Sequence, residues 1–157
     1  MRFVVSSLLL AALCATSAEA QASASACDLL TAAEVESAAG WKPAAPKPES
    51  YGTTSTCTFT GNALTHQVVV LTLAKPAPKV ASSAAFAERR LADGKRTPEL
   101  ATQAEPVEGL GAPAIRSDDG SGPATIEAVT GGRIVSVTAP TVEAATALAK
   151  QAIPRVR

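Results

Sequence analysis

The sequence predicts an α+β fold, in which an antiparallel β-sheet of about five strands carries two to three packed helices and one disulfide. Three observations support this prediction. Short runs in which apolar and polar residues alternate are typical of half-buried strands. Alanine-rich segments that begin at a threonine or serine and end at a glycine or proline indicate helices. These segments follow the order helix, two strands, helix, three strands, helix, which favours helices on the apolar face of an antiparallel sheet.

Residues 1–20 have the pattern of a secretory signal peptide. A basic residue precedes an apolar run at residues 3–15, and small residues follow up to Ala20. The apolar run is too short to form a stable membrane anchor. The sequence therefore predicts a periplasmic or secreted protein, cleaved after Ala20, with a single domain over residues 21–157.

Three cysteines occur in the chain, and the first of them, Cys14, leaves with the signal peptide. Cys27 and Cys57 then remain as a pair in an oxidising compartment. A disulfide between them closes a loop of about 30 residues and should stabilise the fold by roughly 3–4 kcal/mol. A redox-active or metal-binding pair is disfavoured, because the Cys-x-x-Cys spacing is absent. Neither Cys14 nor Cys27 fits the cleavage site of a lipoprotein, so no lipid anchor is expected.

The balance of basic and acidic residues limits the classes of partner that the chain is expected to bind. The chain has 14 basic and 14 acidic residues, and its net charge at neutral pH is +0. Without a basic excess there is no electrostatic signature of nucleic-acid or anionic-membrane binding. The expected partner is a protein or a small ligand of the cell envelope, and no cofactor is predicted.

The first predicted helix covers residues 31–39. Thr31 and Glu34 have the spacing of a capping box, in which each side chain accepts a hydrogen bond from the other residue's backbone N–H. Gly40 supplies the left-handed residue that commonly ends a helix. The sequence therefore defines both ends of this helix.

A proline-rich stretch follows the first helix. Residues 42–50 have no periodicity and predict an extended surface loop. Residues 53–60 alternate as a half-buried strand does, with Cys57 and Phe59 on one side and threonines on the other. Residues 67–73 form the strongest predicted strand, and the two strands are expected to pair as a hairpin.

The middle of the chain gives weaker signals. A second helix is predicted over residues 84–92, after a serine cap. Residues 95–113 are loop-like, with at most a short strand near residues 105–107. A further strand is predicted at residues 114–117, before a turn rich in Asp and Gly.

The clearest predicted hairpin joins residues 125–130 to residues 133–138. Gly131-Gly132 can adopt the positive φ angles of a tight primed turn, which sets Ile126 opposite Val137. The opposite face of this hairpin is only partly polar. The last predicted helix follows a threonine cap and ends before a proline, with an apolar stripe formed by Val142, Ala145, Leu148, Ala149 and Ala152.

Four features of the sequence carry a resemblance to a known family. They are Cys27-Asp28-Leu29-Leu30-Thr31-x-x-Glu34, a second cysteine in the first strand, the stretch 107–114, and the alanine-rich final helix. The chain resembles a family of small exported two-cysteine proteins and lipoproteins, best known from actinobacteria, that carry a domain of unknown function. The resemblance implies this kind of fold and a cell-envelope location, and it brings no catalytic residues. The chain differs from that family in lacking a lipobox.

His66 is the only histidine, so a Ser–His–Asp arrangement would have to use it. The chain has no Gly-x-Ser-x-Gly elbow, and a histidine just after a turn is usually solvated. Too few suitable ligands are present for a zinc site. The sequence therefore predicts neither a catalytic residue nor a metal site.

Three further motifs have structural explanations. Gly109-x-Gly111 precedes a proline and a strand rather than a helix, so it does not match a nucleotide-binding loop. Asp118-Asp119 lacks the spacing of a calcium loop and is expected to form a turn. The basic residues at 89–90 and 95–96 could form a small anion patch, although a solvated helix end is the simpler interpretation.

These observations favour an exported, non-catalytic binding or accessory module of the periplasm or cell envelope, which uses its sheet or loop surface. One alternative is a small hydrolase or transferase that uses His66 and an acidic residue. Another is an inhibitor of a secreted enzyme that presents the proline-rich loop at residues 43–51.

Overall fold

The structure, a computed structural model, describes residues 25–61, 67–75, 103–118 and 122–156. In these ranges the helices are α1 (Ala32–Ala39) and α2 (Val142–Ala152). The strands are β1 (Lys47–Tyr51), β2 (Thr54–Thr60), β3 (Val68–Ala74), β4 (Gln103–Val107), β5 (Ala114–Asp118), β6 (Ala124–Thr130) and β7 (Arg133–Ala139). Short 3-10 turns lie at Ala26–Asp28 and Ile153–Arg155.

All the described strands form one antiparallel sheet in the order β1-β2-β3-β7-β6-β5-β4. The predicted α+β class, the antiparallel sheet and the disulfide are confirmed. The predicted number of about five strands is wrong, because the described residues alone form a sheet of 7 strands. The second predicted helix, over residues 84–92, lies outside the described residues.

The two strands that the sequence did not define are the two edges of the sheet. A loop was predicted over residues 42–50, but the chain from Lys47 onward forms β1. The strand β4 covers Gln103–Val107, where the sequence predicted at most a short strand near residues 105–107. Each of these strands contains a proline, Pro48 in β1 and Pro106 in β4. Proline weakens the strand signal in a sequence, yet an edge strand tolerates it because one side of the strand needs no donor.

The sheet has an apolar inner face that carries both helices. α2 packs on β6 and β7, α1 packs on α2, and the turn at Ala26–Asp28 packs on β1, β2 and β3. Directly opposite residues in an antiparallel sheet share a face. One such row crosses four central strands and is fully buried, with the members Cys57, Leu71, Val137 and Ile126.

Both predicted hairpins are present. β2 pairs with β3, and Cys57 and Phe59 are buried on the same side of β2. In the β6–β7 hairpin, Ile126 lies opposite Val137 as predicted. The turn residues Gly131 and Gly132 have φ angles of 56° and 69°, which the primed turn requires.

The predicted helix ends are also confirmed. Thr31 Oγ1 accepts a hydrogen bond from the Glu34 N–H at 3.3 Å, and Glu34 Oε2 accepts one from the Thr31 N–H at 2.8 Å. Gly40 ends α1 in the left-handed conformation with a φ of 75°. The Oγ1 atom of Thr141 accepts from the Ala144 N–H at 3.2 Å and begins α2. In the predicted stripe of α2, the buried members are Ala145, Leu148, Ala149 and Ala152.

The outer face of the sheet, opposite the helices, differs between its two ends. Ile115 of β5 and Val129 of β6 lie on the outer face and are only 1% and 5% exposed. They do not belong to the main cluster of core residues. At the other end, every residue of β1 is exposed and the threonines of β2 are half-buried. The outer face is therefore buried at Ile115 and Val129, exposed to solvent at β1 and partly exposed at β2.

Candidate functional site

The disulfide attaches the turn at Ala26–Asp28 to the inner face of β2. Cys27 and Cys57 are bonded as predicted, with their Cα atoms 5.0 Å apart. Cys57 is fully buried in β2, whereas Cys27 lies in the turn at Ala26–Asp28. The Ala26 N–H also donates a hydrogen bond to Ser55 Oγ at 2.9 Å. This side of β2 is therefore occupied by the chain itself.

Arg155 connects the end of the chain to its first helix. Its Nη1 donates to the Leu29 carbonyl at 3.0 Å and to Glu34 Oε2 at 2.9 Å, and its Nη2 donates to the other oxygen of Glu34. The hydrogen bonds from Arg155, helped by those from Thr31, lower the pKa of Glu34 from its ordinary value of 4.5 to about 2, although partial burial opposes the shift. The capping role of Glu34 was predicted, but nothing in the sequence indicated Arg155 as its partner.

A second charged cluster lies on the inner face at β4 and β5. Arg116 Nη2 is 2.6 Å from Glu105 Oε2, and Arg116 Nε is 3.0 Å from Asp118 Oδ2. Arg116 lies opposite Ile126, beyond the strands on which α2 packs. Arg116 therefore forms one ion pair across the strands, with Glu105, and one within β5, with Asp118, and the cross-strand pair stabilises this end of the sheet. Within the described ranges, no group of three or more His, Cys, Asp or Glu side chains could hold a metal ion.

The edge formed by β1 lacks a backbone donor at an outward-facing position. On the β1 side of β2, the Thr60 carbonyl accepts a hydrogen bond from the Ala44 N–H at 2.8 Å. Backbone N–H and C=O groups alternate in direction along a strand, so those of Thr58, two residues before Thr60, also point towards β1. Thr58 pairs with Lys47, and the next residue, Pro48, therefore faces away from the sheet. Proline has no N–H to offer at that position.

The edge formed by β4 has the same property. The tight turn between β6 and β7 fixes which residues of that hairpin form hydrogen-bonded pairs. Along each strand, the backbone N–H and C=O groups of successive residues point in turn to one neighbouring strand and then to the other. Followed from the turn across β6 and β5, this alternation makes Arg116 and Glu105 a hydrogen-bonded pair. The next residue of β4, Pro106, consequently faces outward without a donor. Recognition of a peptide by strand addition needs such donors, so both edges are poorly suited to it.

The remaining surface is the outer face of β1 and β2, which we call the β1–β2 face. Its six side chains are Lys47, Glu49, Tyr51, Thr54, Thr56 and Thr58. Register places the outward-facing residues of β1 opposite threonines of β2: Lys47 lies opposite Thr58, Glu49 opposite Thr56 and Tyr51 opposite Thr54. Tyr51 is 72% exposed, and among the described residues no other large hydrophobic side chain is comparably exposed.

The chemistry of the β1–β2 face is polar and balanced in charge. Threonine hydroxyls both donate and accept hydrogen bonds, and tyrosine combines an apolar ring with a hydroxyl. Lys47 and Glu49 supply one charge of each sign on the same strand. Such a surface suits the binding of a polar ligand. The threonine side of β2 was predicted from its alternation, whereas Tyr51 was assigned to a loop, so its position beside the threonines was missed.

Other candidates from the sequence lie outside the described residues. These are His66, Asp119 and the basic residues between 89 and 96. Gly109 and Gly111 have φ angles of 76° and 72° in the connection between β4 and β5. A strand follows them, as predicted, so they do not form the start of a phosphate-binding helix.

Comparisons with known proteins give no relative for this chain. No protein-family model, no curated protein and no solved structure matches it. Within the part of the chain that the structure describes, no helix is long and apolar enough to cross a membrane. The class of protein is therefore defined by structure alone, as an α+β protein with one disulfide and an open, hydroxyl-rich sheet face.

Proposed function

We propose that this chain is an exported, non-catalytic binding protein of the periplasm or cell envelope, and that its ligand binds to the β1–β2 face. One observation carries the proposal. This face is open to solvent, whereas the inner face carries the helices and both sheet edges have an outward-facing proline. Tyr51 supports the same surface, because its exposed side chain offers a ligand both an apolar ring and a hydroxyl.

Two features support export. Residues 1–20 have the pattern of a signal peptide, and the chain beyond them contains a disulfide, which persists in oxidising compartments. The resemblance to small exported two-cysteine proteins supports the same location and is part of the proposal.

Processing of the full chain tests the export proposal. When the protein is expressed in a bacterium, we expect the product outside the cytoplasm to begin at Gln21. It should contain no free thiol, because Cys14 has been removed and Cys27 is bonded to Cys57. Mass spectrometry with and without reduction measures both properties. A product that retains residues 1–20 or carries lipid would contradict the proposal.

Sedimentation with isolated cell envelopes tests the binding surface. We expect the wild-type protein to sediment with envelopes and the Tyr51→Ala variant to stay in solution. Lys150→Ala, at an exposed position of α2, is the matched control and should bind like the wild type. Equal retention of all three proteins, or of none, would contradict the assignment of this face.

Activity measurements test the non-catalytic part of the proposal. Turnover of ester, peptide or glycoside substrates by the pure protein, lost in His66→Ala, would support the hydrolase or transferase alternative instead. We expect no turnover in either protein.

A further inference from the structure

We infer that the ligand of the β1–β2 face is an uncharged polysaccharide, an inference that rests on the proposed function above. Three properties of the face support this class: an exposed aromatic ring, a regular row of hydroxyls, and a balance of charge.

The ring of Tyr51 can serve as a stacking platform. It is 72% exposed on an edge strand, so a ligand can reach the ring from the solvent side. A pyranose ring has a face made of C–H groups, and an aromatic side chain provides an apolar surface that packs against such a face. Its neighbour across the strand pair is Thr54, whose hydroxyl lies on the same side of the sheet.

The threonines extend this platform along β2. Thr54, Thr56 and Thr58 alternate with inward-facing residues, so their side chains repeat every ~6.8 Å along the strand. Each hydroxyl both donates and accepts a hydrogen bond, as do the hydroxyls of a sugar. A repeating polymer of sugar rings can therefore use several of these positions at once.

The charges of the face complement a neutral ligand. Lys47 and Glu49 cancel each other, and each can hydrogen-bond to sugar hydroxyls without attracting a charged polymer. A polyanion would meet Glu49 and a polycation would meet Lys47. The net charge of +0 for the whole chain provides no long-range attraction for either.

A protein partner fits this surface less well. Stable protein interfaces bury about 800 Å² on each partner around an apolar core that contains most of the binding energy. The β1–β2 face offers one exposed apolar ring, surrounded by hydroxyls and charges. A sugar chain needs only one such ring together with polar contacts.

Two uncharged tetrasaccharides test the inference and distinguish the source of the sugar. Chitotetraose represents N-acetylhexosamine polymers, and cellotetraose represents glucose polymers. We expect one of them to shift the backbone amide resonances of β1 and β2 in a saturable titration. Tyr51→Ala should weaken binding by about tenfold, the loss expected for an aromatic stacking contact, whereas Tyr51→Phe should bind within about twofold of the wild type.

Lys150→Ala is the control and should bind as the wild type does. The absence of a saturable shift with either sugar would overturn the inference, as would binding that Tyr51→Ala leaves unchanged. If both sugars fail while envelope sedimentation still depends on Tyr51, the ligand class is wrong and the proposed function stands. If sedimentation also fails to depend on Tyr51, both are wrong.

Discussion

Glu34 shows how much one residue can contribute to this fold. Its carboxylate accepts hydrogen bonds from the Thr31 N–H at the start of α1 and from Arg155 near the end of the chain. One side chain therefore caps a helix and connects two segments that are 121 residues apart in sequence. Local spacing predicts the cap, because both partners are three residues apart. The ion pair depends on the tertiary fold, so no local pattern in the sequence indicates it.

The ionisation of Glu34 should make stability depend on pH in the acid range. Arg155 lowers the folded-state pKa of Glu34 from 4.5 to about 2. A carboxylate with a lowered pKa contributes its stabilisation above the unfolded-state value and loses it as the pH falls through the folded-state value. We therefore expect the free energy of unfolding to decrease between about pH 4.5 and pH 2. Chemical denaturation across this range measures the decrease.

The Glu34→Gln variant isolates this contribution. At pH 7 it should destabilise the protein by about 1 kcal/mol, because solvent screens an ion pair whose arginine is partly exposed. Its free energy of unfolding should also decrease less than that of the wild type as the pH falls below 4.5. Glu36→Gln, on the exposed side of α1, is the control and should change neither property. An unchanged pH profile in Glu34→Gln would contradict this role.

At the level of elements, local chemistry explains which parts of the fold the sequence predicts. The β6–β7 hairpin was predicted with its register because Gly131-Gly132 fixes the turn and the turn fixes the pairing. β1 and β4 were missed or shortened because Pro48 and Pro106 resemble loop residues. Only the position of a strand in the sheet shows that its proline faces solvent, and that position depends on long-range pairing.

The disulfide is the element-level feature with the largest expected effect on stability. Reduction of the Cys27–Cys57 bond should lower the free energy of unfolding by roughly 3–4 kcal/mol, because the unfolded chain regains the freedom of the closed loop. Urea denaturation with and without reductant measures this difference. The Cys27→Ala/Cys57→Ala double variant is the control and should not respond to reductant. Equal midpoints for oxidised and reduced wild-type protein would contradict the prediction.

At the level of the whole molecule, the two edge prolines should limit self-association. Pro48→Thr together with Pro106→Thr restores an outward-facing N–H on each edge, so sheets from two copies can pair edge to edge. We expect this variant to have a larger average mass than the wild type in analytical ultracentrifugation at the same concentration. Pro113→Thr, in the connection between β4 and β5, is the control. No added association in the double variant would show that these prolines do not protect the edges.

The candidate site was only partly predictable for the same physical reason as the fold. The alternation in β2 identified a polar side with Thr56 and Thr58. Tyr51 joins that side only because β1 pairs with β2, and the sequence indicated a loop there. A face built from two strands needs their register, and the threonines alone do not define it.

Site-specific photo-crosslinking shows directly whether the ligand binds to the β1–β2 face. A photoreactive amino acid at position 56 is compared with one at position 150 of α2, in folded, oxidised protein mixed with cell envelopes. We predict light-dependent adducts at position 56 that excess unlabelled protein suppresses, and none at position 150. Adducts at position 150 alone, equal adducts at both positions, or none at position 56 would contradict the claim that this protein binds its ligand through the β1–β2 face.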